Sequence, residues 1–150
     1  MKYGKAFGAG VLGAVVMTVI MAMARAMGMP VNLEMMLGTM MGGPPSAAKW
    51  VMGFIMHLMA GGIFALIYAV GFEYLTHRAD WLVGVRFGAM HPLIPEQMPA
   101  PGAFMANLGM MGVIAEIMLH LIYGAIVGAM YGPVIHRPVG PGAEERRVHV

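Results

Sequence analysis

Residues 116–132 read EIMLHLIYGAIVGAMYG. One carboxylate, Glu116, and one imidazole, His120, stand four residues apart, a spacing that sets them on one face of a helix. The apolar run around them is longer than an ordinary soluble helix needs and matches a membrane crossing. Ionisable groups are costly in such a helix, which makes them the first candidates for function. A fainter copy, HLMAGGIFALIY, begins at His57. Aligning His57 with His120 also matches Leu58 with Leu121, Gly61 with Gly124, Ile63 with Ile126 and Tyr68 with Tyr131. The pattern predicts an all-α, polytopic membrane protein with a two-helix internal repeat.

Composition agrees with that class. Of 150 residues, 59% are hydrophobic and 11% charged, against roughly a quarter charged in soluble domains. The formal charge of +2 is small and scattered, whereas a nucleic-acid footprint needs clustered Lys and Arg; no nucleic-acid partner is expected. The chain has no cysteine, which removes disulfides, thiolate metal sites and Cys nucleophiles. No nucleotide-binding Gly loop, Ser/His/Asp arrangement or HExxH motif is present, so no catalytic signature marks an enzyme.

Four crossings are expected. The first covers 6–27, after Lys2 and Lys5, and closes at Gly28 and Pro30. Ala22, Ala24 and Ala26 also suit a cleaved signal peptide; we read the segment as a retained span. Residues 30–45 are too short to cross, and Leu33, Met36, Leu37 and Met40 at helical spacing predict a short interfacial helix. Ser46 is the expected N-cap of span two, 51–72, with Trp50 as a belt residue and His57 as its only ionisable group. Asp80 is the expected cap of span three, 81–94, which contains Arg86 and is either short or a half-helix continuing as irregular backbone. Pro92, Pro95, Pro99 and Pro101 make a stiff connector. Span four runs over 103–135, its first turns projecting or bent. Residues 1–138 are thus the membrane domain and 139–150 a polar tail.

Lys2, Lys5, Arg78, Arg137, Arg146 and Arg147 fall on one side of this topology and Arg25 and Lys49 on the other. The positive-inside rule then places both termini in the cytoplasm. Spans two and four run in the same direction, with His57 and His120 at similar depth and Glu116 shallower. Tyr68 and Tyr131 are expected in the belt at the cytoplasmic interface, Tyr123 as a donor to Glu116 or His57, and Arg86 as snorkelling or paired with Glu73 or Asp80.

Three uses of His57, Glu116 and His120 compete. They are helix glue, with hydrogen bonds worth roughly 0.6–2 kcal/mol each; ligands for a zinc, copper or iron ion; or, for His57 and His120 alone, axial ligands of a haem b, with Gly61 and Gly124 leaving room for the macrocycle. Against haem, Gly124, Gly128 and Gly132 are small-xxx-small steps that draw helices close. Proton or quinone chemistry at the Glu/His pair stands on the same footing as the metal. Met35, Met36, Met40 and Met41 form the methionine group that bears on copper, although Met is also an ordinary gap filler.

The repeated HL-x2-G…Y pattern, the Pro-rich connector and the HLIYG segment together resemble small, mostly uncharacterised four-span bacterial inner-membrane proteins. The resemblance implies a four-helix membrane fold and no activity, and the Arg-containing third span is less apolar than such proteins show. The expected role is a small accessory or structural subunit of a membrane complex, or a homo-oligomer, with lipid and other membrane subunits as partners. A metal- or haem-binding redox protein and a small oligomeric transporter or channel are the alternatives.

Overall fold

The computed structural model describes residues 1–91 and 109–135, and these contain five α-helices and no strand. Three elements are long and apolar enough to cross a membrane: α1 (Tyr3–Ala26), α3 (Ala47–Val70, continued by a π-helical turn, Gly71–Thr76) and α5 (Gly109–Ile135). Between them stand α2 (Leu33–Thr39) and α4 (Trp81–Met90). At 10 residues, α4 rises ~15 Å, half of a hydrocarbon core of roughly 30 Å. A fourth crossing is therefore not completed by the described residues; 92–94, the Pro-rich connector with Glu96, the expected start of span four at 103–108 and the tail at 139–150 lie outside them.

Local chemistry sets the boundaries. Ser46 Oγ accepts from the Lys49 N–H at 3.3 Å, Asp80 Oδ1 from Val83 at 2.8 Å and Asn32 Oδ1 from Met35 at 3.1 Å, each satisfying an amide with no partner inside its own helix. α1 gives way to Gly28 at φ +91°, whose amide bonds back to Arg25 O. α4 closes at Met90, with the His91 amide bonding back to the Gly88 and Phe87 carbonyls.

Small residues bring the helices together. Gly10 lies against Gly61 and Ala65, and Gly61 against Ala14, joining α1 to α3. Tyr123 on α5 fills the space above Gly13 of α1. α1 runs opposite to both neighbours: the Met1 amine lies 3.1 Å from Glu73 Oε2, and Lys2 N–H donates to Tyr131 Oη at 3.1 Å. α3 and α5 therefore point the same way, as expected, but α1 bridges them and their backbones barely touch. The end that holds Met1, Glu73 and Tyr131 is termed proximal and the end that holds α2 distal.

α2 packs on α3 through two bare backbone contacts, Gly38 on Lys49 and Gly53 on Glu34. Glu34, fully buried, is held to Arg25 Nη1 at 3.0 Å. The short helix expected over 30–45 is thus a packed element of the bundle, while Met40 and Met41 of its methionine group are exposed.

The α4–α5 contact is the most extensive in the fold. Gly84 meets Gly124 and Gly128, Gly88 meets the His120 carbonyl, Gly128 the Asp80 carbonyl and Gly132 the Ala79 carbonyl. Residue numbers rise on one helix as they fall on the other, so α4 climbs from the proximal end alongside α5 and its tip arrives beside His120, near the centre of the Gly109–Gly132 span.

Candidate functional site

That tip is His91, 3% exposed. Its ring stacks on His120 with centroids 4.4 Å apart and planes 30° from parallel. Phe64 of α3 closes one side at 4.3 Å. Tyr68, one turn further along α3, reaches His91 Nδ1 with its hydroxyl at 2.9 Å, and Tyr123 stands edge-on to Tyr68 while donating to the Gly61 carbonyl. His120 Nδ1 lies 2.9 Å from the Glu116 carbonyl oxygen. A carbonyl only accepts, so Nδ1 carries the proton and the neutral ring keeps its lone pair on Nε2.

The site is thus a pair of imidazoles with an aromatic wall, set where a helix ends inside the bundle.

Of the residues singled out in the sequence, His120 lies in this site. Glu116 holds it through its main chain, its own side chain half-buried one turn towards the distal end. His57 is buried on the Gly53–Gly61 face of α3, the face against which α1 and α2 pack. Among the described residues no three His, Asp or Glu side chains converge as a metal ion requires, so His57, Glu116 and His120 do not form the three-ligand set. Nor does the stacked pair hold an ion between its rings: ligand lone pairs lie in the ring planes, and stacked rings send them past one another. A haem b between His57 and His120 does not fit either. Gly61 is filled by Gly10 and Ala14, and Gly124 by Gly84, so the glycines that were to make room are spent on helix contact.

The tyrosines also differ from the expected belt. Tyr68 and Tyr131 are buried; Tyr131 donates to Glu73 Oε1, which with the Met1 amine makes a second polar cluster at the proximal end. Tyr123 bonds to neither His57 nor Glu116 among the contacts described, and Arg86 meets neither Glu73 nor Asp80, which are taken by Tyr131 and by Arg78 at 3.5 Å. His91 falls near the end of the expected span three, 81–94, and was not singled out as a site residue. One signal would have found it: registering Gly84 and Gly88 against Gly124 and Gly128 as antiparallel small-residue ridges carries His91 to His120.

The fold defines the class, an all-helical protein with three helices suited to crossing a membrane and a half-length helix ending among them. Residues 1–140 match the family described as a family of unknown function, DUF6789, and the chain belongs to it. No curated protein and no solved structure matches the chain.

Proposed function

We propose that the protein is a small proton-handling subunit of a membrane assembly, built from copies of itself or with a partner. The observation that carries this reading is the His91–His120 stack at the tip of α4. An imidazole can hold or release a proton at either ring nitrogen, and two such rings face each other here. Tyr68 donates to His91 Nδ1 when that nitrogen is bare and accepts from it when it is protonated. The bond between α3 and α4 therefore reads the protonation state of the pair.

The assembly part rests on the length of α4. It covers the proximal half of α5 and leaves Met110, Met111, Ile114, Ile117 and Met118 of the distal half exposed, with Glu116 half-buried among them. A helix from a second copy or a partner laid there covers this apolar face. The setting is a bacterial inner membrane with the proximal end in the cytoplasm, supported by Lys2, Lys5 and Arg78 at that end.

Nitrogen-15 NMR of histidine-labelled protein in lipid tests the proposal. The His91 ring signals are expected to move in His120→Phe and in Tyr68→Phe, and proton flux into liposomes holding the protein is expected to fall in His91→Phe and in His120→Phe. His91 signals that answer to neither substitution, or flux unchanged in both histidine variants, refute it.

A further inference from the structure

We infer that Arg86 is the anchor of a binding site for an anionic phospholipid in the leaflet around the proximal end. Arg86 is exposed on the side of α4 turned away from the bundle, between exposed Leu82 one turn below and exposed Met90 one turn above. Among the described residues it makes no ion pair. The carboxylates of that end are already engaged: Glu73 with Tyr131 and the Met1 amine, Asp80 with the Val83 N–H and Arg78. The guanidinium nonetheless lies at the depth of an apolar span, between the Gly84–Gly124 and Gly88–His120 contacts.

A bare guanidinium at that depth costs several kcal/mol, and geometry names what relieves it. Arg86 lies six residues beyond the cap Asp80, ~9 Å along the axis. Helical side chains lean towards the N-terminus of their helix, which for α4 is the proximal interface, and an extended arginine snorkels across most of that distance. There it meets phosphate, the anion that its planar fork pairs with best. Leu82 and Met90 offer the acyl chains an apolar stripe, exposed Trp81 suits the headgroup level, and Lys2 and Lys5, both exposed at the same end, make a net negative headgroup the complement.

The site is independent of the imidazole pair, and the purified chain in detergent tests it. Dioleoyl-phosphatidylglycerol is expected to raise the melting temperature and to be retained in native mass spectra, whereas dioleoyl-phosphatidylcholine and inorganic phosphate do neither. Arg86→Gln and Arg86→Leu weaken phosphatidylglycerol retention about fivefold, the ratio one basic side chain near an anionic surface is worth. Arg86→Lys keeps most of it. Undiminished retention in both Gln and Leu variants overturns the assignment, as does equal stabilisation by phosphatidylcholine or by phosphate alone. Loss of an oligomer in Arg86→Gln with lipid retention unchanged also overturns it, and points to a protein carboxylate instead.

Discussion

Adding one methyl group to a glycine should have opposite effects at two places in this bundle. At Gly84 a Cβ would overlap the Gly124 carbonyl oxygen, lie 2.8 Å from its carbonyl carbon and 3.0 Å from Gly128 Cα. All three atoms are backbone, so no side chain can rotate aside and one helix must move. Overpacking of this kind costs roughly 1–3 kcal/mol, against which alanine recovers about 1 kcal/mol of helix propensity. Gly84→Ala is expected to lose a net of up to ~2 kcal/mol and to lift the tip of α4 from His120. Gly8 of α1 has nothing within 4 Å of the same position, so Gly8→Ala keeps only the propensity term and gains up to ~1 kcal/mol. At ~2–4 °C per kcal/mol for a chain of this size, the two melting temperatures should part by several degrees, in opposite directions from the parent. Thermal unfolding in detergent, followed by Trp81 fluorescence in a Trp50→Phe background, reads the difference. A Gly84→Ala protein as stable as Gly8→Ala would refute the close α4–α5 approach, and with it the placement of His91.

Other outcomes follow from the same contacts. Tyr68→Phe removes the hydroxyl at His91 Nδ1 and should cost about 1–2 kcal/mol while shifting the His91 nitrogen resonances; unchanged resonances would show that the bond is not made. Arg25→Leu strands the fully buried Glu34 carboxylate and should cost roughly 3–5 kcal/mol, most of it recovered in Arg25→Leu/Glu34→Leu; additive losses in denaturation would sink that reading. His57→Ala should leave the nitrogen signals of the His91–His120 stack in place, since His57 sits on another face of α3; collapse of those signals would put it in the site. Tyr131→Phe breaks the bond to Glu73 and should loosen the proximal end, seen as faster amide exchange near Phe72 without change at His91.

Much of the framework was legible in the residues. The apolar runs, Gly28 with Pro30, and the caps Ser46 and Asp80 act within a few residues of themselves, so their consequences appear in sequence order. His120 and Glu116 were legible as candidates for a similar reason, since an ionisable group in an apolar run stands out wherever the chain folds. The repeat that links His57 with His120 was legible too, but it describes two helices that run alike, not two helices that touch.

The sequence by itself determined that this chain is helical, suited to a membrane, and sparing with charge inside it. Which imidazole meets His120 was decided only by tertiary structure. That choice depends on the register in which Gly84 and Gly88 seat against Gly124 and Gly128, and on α1 standing between α3 and α5. A close glycine contact selects its partner by the shape of two backbones at once, and no single stretch of the chain carries that information.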